Sequence, residues 1–260
     1  MAMRLKIHNV GHGGCISLKH QNGNSMVWDC GHQENHRPSY FLPYTEGIDR
    51  IDRFFVTNYD EDHISDLPNL RANLTLPLLH RNTSIDAPSL RSLKQQSGPI
   101  STAMESMLSM IESYTGGPPD VPPAFPDVEF TTYWNSFSDF DDTNNCSLVT
   151  FLTCNGLTFV FPGDLERSGW LKLLEGSSFQ DELRNTTIFV ASHHGRENGY
   201  CEEVFDLCSS SVVIFSDSNI QYATQEMSSK YAAHCSGIQF NGETRYVIST
   251  RNDGSIWWDL

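Results

Sequence analysis

The sequence predicts an α/β protein in which short strands and helices alternate along the chain. Apolar runs of strand type recur along most of the sequence, and stretches with helical spacing separate several of them. Three of the apolar runs end abruptly in side chains of the types that bind metal ions. The 260 residues fit one large α/β domain or two small ones, and a hydrophobic content of 38% is enough to form a core.

The first predicted strands are each followed by a short polar segment. Residues 4–10 alternate like a half-buried strand, residues 16–18 resume the alternation, and residues 25–31 form a third strand with a polar end. The glycines that flank His12 indicate a tight turn or a close approach of the backbone to another group. His12 and Asp29 lie at strand ends, where a site role and an ordinary turn role fit about equally well.

The loop after the next strand carries a dense group of potential metal ligands. The apolar run that begins at Phe54 ends in Asn58, Asp60, Asp62 and His63, before a segment that could start a helix. Loops between strands and helices often present functional side chains, and divalent ions take carboxylate oxygens and imidazole nitrogens. Taken by itself, the loop fits a solvated acidic turn as well as it fits a metal site.

Between about residues 71 and 135 the pattern changes. Residues 101–114 have helical spacing, with Ser101 or Thr102 as the N-cap. The stripe of methionine and leucine side chains on this helix is more typical of core packing than of a groove for a partner. Residues 116–123 are rich in proline and glycine, which indicates a loop or a lid.

Two tight turns are predicted between neighbouring strands in the second half of the chain. Asn155-Gly156 separates two apolar runs, and Asp253-Gly254 separates two more near the C-terminus; both dipeptides are typical of β-hairpins. The other predicted elements are strands at residues 128–133, 186–192 and 212–216 and helices at residues 168–174, 179–183, 200–207 and 227–234.

The composition argues against several classes of protein. A net charge of −15 opposes tight binding of a long duplex, since phosphate contacts need a basic face, but it is compatible with a small anionic substrate or a protein partner. The odd number of cysteines, seven, and the lack of a CxxC pair do not indicate a zinc ribbon, and free thiols suit a reducing compartment. No apolar run reaches membrane-spanning length, so we expect a cytoplasmic protein without membrane contact.

The groups of potential ligands share one position, directly after an apolar strand. Asp62 and His63 follow one strand, Asp164 follows another, and the pair His193 and His194 follows a third. Side chains in such positions can meet at one edge of a sheet although they are far apart in sequence. Two carboxylates with two imidazoles, one of them from the histidine pair, would bind one divalent ion.

Asn58 and Asp60 would lie at the start of a second, weaker metal site. The site would be weaker because Asn58 offers a neutral amide oxygen where histidine would offer a nitrogen. Hydrolysis is the chemistry that follows from such sites, since a bound divalent ion lowers the pKa of water towards neutrality and polarises a phosphoryl or carbonyl oxygen.

Seven short segments match, in order and spacing, the motifs of one known family. They lie at residues 9–15, 27–31, 57–64, 145–149, 161–166, 191–195 and 250–254. For example, TNYDEDHI at residues 57–64 corresponds to a THxDxDHIGG loop, and ASHHG at residues 191–195 corresponds to a GHHGS segment. On these motifs the chain resembles the metallo-β-lactamase fold and, more narrowly, soluble relatives of the metallohydrolase domain of ComEC-type DNA-uptake competence proteins.

The resemblance implies a four-layer αββα metallo-β-lactamase sandwich with a metal site at one edge. Residues 1–260 would form a single domain with a helical and proline-rich insertion at about 71–135, and the site would bind one or two divalent ions, zinc or manganese. The metal ligands implied by the match are Asn58, Asp60, Asp62, His63, Asp164 and His194, with Asp164 bridging if two ions bind. The implied catalytic residues are Asp60, Asp62 and His193, and the implied substrate contacts are His12 and Asn145.

Three hypotheses for the function follow. The first is metal-dependent hydrolysis of phosphodiester bonds in nucleic acid or a nucleotide, and the acidic composition favours nucleotides or strand ends. The second is a catalytically weakened module that binds a protein partner through the 71–135 insertion in a multi-component system; it is motivated by Asn58 and Gly14, where the family has His and Asp. The third, thioester or lactam hydrolysis, is disfavoured because Asp60 stands where such enzymes usually have His.

Overall fold

Two six-stranded β-sheets form the centre of the computed structural model, which describes residues 2–116 and 121–260. The first sheet contains, in spatial order, β14 (Ile256–Asp259), β1 (Arg4–Ile7), β2 (Ile16–Lys19), β3 (Ser25–Trp28), β4 (Arg53–Phe55) and β5 (Leu79–His80). The second contains β13 (Val247–Ser249), β10 (Val212–Phe215), β9 (Ile188–Val190), β8 (Leu157–Phe161), β7 (Leu148–Cys154) and β6 (Val128–Trp134). A separate pair is formed by β11 (Ile238–Phe240) and β12 (Glu243–Arg245).

The helices pack on the outer faces of the two sheets. Those that pack on the first sheet are α1 (Pro38–Tyr44), α3 (Leu67–Asn73), α4 (Ala87–Gln95) and α5 (Thr102–Ser113). Those that pack on the second sheet are α6 (Arg167–Leu173), α7 (Ser177–Asn185), α8 (Glu202–Phe205) and α9 (Ser228–Ala232). The short helix α2 (Glu61–Ile64) follows β4 after the loop at residues 56–60, and the short helix α10 (Thr250–Asp253) directly follows β13.

Alternation along the strands builds the layers. Phe54 of β4 packs against the helices of the first sheet, whereas Phe55 points between the sheets and stacks on Trp28, with ring centroids 4.7 Å apart. In β8, Val160 packs against the helices of the second sheet and Phe161 lies between the sheets. Strands buried on both faces read as nearly continuous apolar runs. The order of layers is helix, sheet, sheet, helix, which confirms the predicted fold class.

One of the two predicted hairpins is present and the other is wrong. β7 and β8 pair antiparallel across Asn155 and Gly156, whose φ angles of 47° and 75° are the positive values that a tight hairpin turn requires. By contrast, β13 pairs with β10 in the second sheet and β14 pairs with β1 in the first. The short helix α10 connects β13 to β14. The Asp253 carboxylate at its end accepts hydrogen bonds from the backbone N–H of Ser249 and from Arg245, both at 3.1 Å.

The segment at residues 71–135 contributes the helices α4 and α5 and two edge strands, β5 of the first sheet and β6 of the second. α5 begins as predicted, with the Ser101 hydroxyl accepting from Met104 N at 3.0 Å, and its apolar stripe is buried in the core. Core packing, the interpretation favoured for this stripe, is therefore confirmed. The last part of the segment forms β6, an edge strand of the second sheet. The predicted loop or lid at 116–123 falls partly on residues 117–120, which lie outside the described residues.

The cysteines agree with the expectation of buried free thiols. All seven cysteines are free thiols and six of them are buried. Among the helices of the described residues, none is long and apolar enough to cross a membrane.

Candidate metal centre

The predicted ligands follow strands of both sheets and meet at one edge of the sandwich. Asp62 and His63 lie in α2, which follows β4 of the first sheet. Asp164 follows β8, and His194 follows β9, both in the second sheet. The nitrogen and oxygen atoms that these four side chains offer all lie within 4.8 Å of one another. Polar groups from positions more than 100 residues apart in sequence thus form one cluster.

The cluster is tight and opens on one side. His63 Nε2 lies 3.0 Å from Asp164 Oδ1, and His194 Nε2 lies 3.0 Å from Asp62 Oδ2 and 3.4 Å from Asp164 Oδ1. The side chains of His63, Asp164 and His194 are almost fully buried, whereas that of Asp62 is 23% exposed. A substrate would therefore approach past Asp62.

Hydrogen bonds at Nδ1 hold both imidazoles with Nε2 turned into the cluster. His63 Nδ1 lies 2.8 Å from Asp29 Oδ2, and His194 Nδ1 donates to the carbonyl oxygen of Ser216 at 2.7 Å. A proton on each Nδ1 leaves a lone pair on each Nε2, and these lone pairs face carboxylate oxygens. Such an arrangement is repulsive unless a proton or a cation lies between the groups. Metal-binding histidines are oriented in this way by an acceptor at their other nitrogen.

The donor set fits a divalent cation. His194 Nε2 is buried and has no aligned hydrogen-bond partner within the described residues, although it lies 3.0 Å from Asp62 Oδ2. The short distance without hydrogen-bond geometry is typical of two ligands that converge on a common ion. Two imidazole nitrogens and two carboxylate oxygens suit first-row divalent metals, and zinc is among them.

Burial and the neighbouring carboxylates act in opposite directions on the histidines. Burial alone would lower the pKa of His63, but Asp164, Asp29 and Asp62 outweigh it and raise that pKa well above its usual value. The pKa of His194 is raised in the same way, against its burial, by Asp164 and Asp62. Burial favours protonation of Asp164, yet His63 and His194 hold its pKa at about 2. Without metal, protons therefore neutralise this cluster.

Glycines allow two loops to close on the backbone of Asp62. Gly14 N donates to Asp62 O at 3.2 Å, and any Cβ at Gly13 or Gly31 would collide with that carbonyl oxygen. The close backbone approach predicted for the glycines around His12 is thus present. It sets the position of α2 and of the ligands that α2 carries.

The histidine pair lies in a strained turn. His193 and His194 have φ angles of 50° and 57°, in the left-handed region that costs about 1–2 kcal/mol for each residue other than glycine. His193 N donates to Gly163 O at 3.1 Å, which ties the turn to the loop that carries Asp164. Strain of this kind concentrates at functional sites. It aims His194 at the cluster and leaves His193 beside it, with Nε2 3.9 Å from Asp164 Oδ2.

The structure places Asn58 and Asp60 outside the four-residue cluster. The Asn58 side chain is fully buried, and its oxygen accepts from the backbone N–H of Asp60 at 2.8 Å. The carboxylate of Asp60 pairs with Lys94 of α4 and accepts from the Thr143 hydroxyl at 2.7 Å.

The two predicted substrate contacts differ in their surroundings. His12 lies at the open side of the cluster, with Nε2 3.3 Å from Asp62 Oδ2 and its ring 4.4 Å from that of His194. Asn145 is buried and bonds elsewhere: its oxygen accepts from Gly169 N at 2.8 Å, at the start of α6.

Three charged residues near the site were not found from the sequence. Asp217 follows β10 and lies 2.9 Å from His12, so the rule of polar residues at strand ends could have identified it. Arg196 directly follows the histidine pair, and its Nη2 lies 3.2 Å from His12 Nε2. Lys94 lies on a helix of the 71–135 segment, and nothing in its local sequence indicates that it reaches Asp60.

Comparisons with known proteins show the fold. No family model and no curated protein matches the sequence. Among solved structures, Zn²⁺-bound PqqB from Methylobacterium extorquens superposes with a TM-score of 0.51 at 11% identity, over 99% of this chain and 100% of that one. CmlA, a diiron β-hydroxylase from Streptomyces venezuelae, gives a TM-score of 0.55 at 13% identity, and this chain spans 54% of its length.

The chain has the metallo-β-lactamase fold. At such low identities the likeness establishes this fold and not a reaction, because one fold can carry several chemistries. The narrower resemblance to ComEC-type proteins stays a prediction. Within the metallo-β-lactamase fold, the cluster lies where strand ends of both sheets meet.

We expect Asp29→Asn to lower metal affinity about 10–100-fold, the usual effect of removing an outer partner of a metal-binding histidine. The amide would weaken the acceptor that holds His63 Nδ1. Isothermal titration with zinc or manganese measures the affinity. Asp49→Asn, at an exposed position away from the cluster, serves as the control. Equal affinities for Asp29→Asn and the control would contradict the orienting role.

Metal binding should release protons and strengthen as pH rises. Because the pKa values of His63 and His194 are raised in the metal-free chain, each ring keeps its second proton to a higher pH than a free imidazole does, and a bound ion must displace these protons. Affinity should therefore increase as pH rises towards the raised pKa values of the two rings and decrease as pH falls. Titration calorimetry in buffers with different ionisation enthalpies counts the protons released. A proton count near zero at pH 7 would contradict the charge state inferred for the cluster.

Proposed function

We propose that the protein is a metal-dependent hydrolase whose ion is held by Asp62, His63, Asp164 and His194. The observation that carries this proposal is the convergence of two imidazole Nε2 atoms on two carboxylates, while each Nδ1 is hydrogen-bonded to an acceptor outside the cluster. A charged cluster as buried as this is costly without a compensating ion or protons. A divalent ion held there would supply a water of lowered pKa and would polarise the bond to be cleaved.

We propose phosphodiesters of nucleotides or nucleic acid as the substrate class. Arg196 supports this proposal, because its Nε is buried without a hydrogen-bond partner within the described residues while its Nη2 contacts His12 at the open side. Guanidinium groups recognise phosphate oxygens by charge-assisted hydrogen bonds. In a chain with a net charge of −15, a cationic group beside the cluster would also draw an anionic substrate to this side.

His193 would contact the substrate as a neutral imidazole. Burial, together with the charges of His194 and Arg196, lowers its pKa against the opposing effect of Asp164 and Glu166. Its Nδ1 is buried without a hydrogen-bond partner within the described residues, and lies 3.6 Å from Glu166 Oε1. A neutral ring can donate a hydrogen bond to a phosphoryl oxygen or carry a proton at neutral pH.

The binding-module hypothesis gains no support from the packing. The partner was expected to dock on the 71–135 insertion, but the side chains of its methionine and leucine stripe, Met104, Met107, Leu108 and Ile111, are buried in the core.

Asp62→Asn should abolish both metal loading and hydrolysis. The change keeps the shape of the side chain but removes the charge that faces His194, and we expect a loss of at least about 10²-fold in hydrolysis of bis(p-nitrophenyl) phosphate. Metal content by mass spectrometry and circular dichroism accompany the assay. Asp206→Asn, at an exposed position, is the matched control. Full activity in folded Asp62→Asn would overturn the proposed function.

Arg196→Gln tests the substrate class separately from the metal. Loss of a hydrogen bond to a charged group costs about 1.5–3 kcal/mol, so kcat/KM for the phosphodiester should fall about 10–100-fold. Arg196→Lys should restore part of the loss. Hydrolysis of the uncharged ester p-nitrophenyl acetate serves as the reference, since it presents no anion to the guanidinium. Equal losses on both substrates would count against phosphate recognition.

A further inference from the structure

A lysine from the 71–135 segment reaches the loop that carries the metal ligands. The Lys94 ammonium on α4 pairs with Asp60 Oδ1 and lies 3.3 Å from the Thr143 hydroxyl. That hydroxyl donates to the same carboxylate oxygen at 2.7 Å. The side chains of Lys94 and Asp60 are 21% and 34% exposed, so solvent screens this ion pair less than it screens a fully exposed surface pair.

The Asn58 side chain lies near Asp60 in sequence, and both ends of its amide group form hydrogen bonds within the protein. Its amide nitrogen donates to Asn144 Oδ1 at 3.1 Å and to Ser147 Oγ at 3.2 Å, while its oxygen accepts from Asp60 N. Ser147 Oγ in turn accepts from the backbone N–H of Asp164 at 3.1 Å. This network connects Asn58 through Ser147 to the backbone of Asp164. The amide oxygen of Asn58 is already used as an acceptor for Asp60 N.

We propose that the Lys94 ammonium takes the place of a second divalent ion, so that each chain binds a single ion. The inference rests on the proposed function, because it takes the four-residue metal site as given. An ammonium group is a compact point charge that neutralises Asp60 without dissociating as a metal ion can. A further divalent ion near Asp60 would be repelled by Lys94 and would find the carboxylate already paired.

Removal of the lysine charge should make the Asp60 carboxylate available to a second divalent ion. In Lys94→Met the hydrophobic stem is kept while Asp60 loses its cationic partner, which exposes a carboxylate to a second ion. Lys94→Gln, which keeps a polar end, should behave in the same way and serves if the methionine variant fails to fold. Lys94→Arg should retain the wild-type count, because it keeps the positive charge.

The experiment counts bound manganese or zinc by native mass spectrometry at saturating metal, with thermal unfolding to verify the fold. We expect one ion in the wild type, two in Lys94→Met, and one in the double variant Asp60→Asn/Lys94→Met. Lys172→Met, which removes a lysine paired with Glu175 on the surface, is the matched control and should bind one ion.

The outcomes separate this inference from the proposed function. A wild-type chain without metal would refute the four-residue site and the inference with it. One ion in the wild type and still one in folded Lys94→Met or Lys94→Gln would overturn the role of Lys94 alone. Two ions in the wild type, with the second lost in Asp60→Asn, would likewise overturn the role of Lys94 while the metal site stands.

Discussion

The interaction on which the site depends is the contact of His63 with one carboxylate from each sheet. Its Nδ1 lies 2.8 Å from Asp29, beyond β3 of the first sheet, and its Nε2 lies 3.0 Å from Asp164, beyond β8 of the second. All three groups are buried, and isolated buried charges cost several kcal/mol each. They stabilise one another as a set, and this mutual dependence holds the edges of the two sheets at one spacing.

The parallel strands of each sheet place the site residues at the sheet edge where the cluster lies. β3 pairs parallel to β4, and β9 pairs parallel to both β8 and β10, so the carboxyl ends of these strands lie at a common edge. The residues that follow these strands in the site are Asp29 after β3, Asp62 and His63 after β4, Asp164 after β8, His194 after β9, and Ser216 with Asp217 after β10. Backbone hydrogen bonding therefore brings these residues to one edge within each sheet, and the side-chain contacts of His63 join the two edges.

Several features of this arrangement could be predicted because they depend on neighbours in sequence. The Asn155-Gly156 turn was predictable since both residues tolerate positive φ, and the cap of α5 by Ser101 depends on a residue three positions away. The Asp253-Gly254 turn was predicted wrongly, because the pairing of β13 with β10 and of β14 with β1 outweighs the local preference for a hairpin. Strand partners are chosen by burial across the whole sheet and not by the turn alone.

The sequence by itself predicted an α/β chain and placed Asp62, His63, Asp164 and the pair His193 and His194 at strand ends, since alternation and strand ends are local patterns. The layered sandwich and the choice of His194 within the pair followed from the resemblance to the metallo-β-lactamase fold. Only the tertiary structure decided how Asp60 is used. A carboxylate in a ligand-rich loop appears the same in sequence whether it faces a metal ion or an ammonium group. Here α4 brings Lys94 across 34 positions of sequence to Asp60, and the distance between those two charges exists only after the chain has folded.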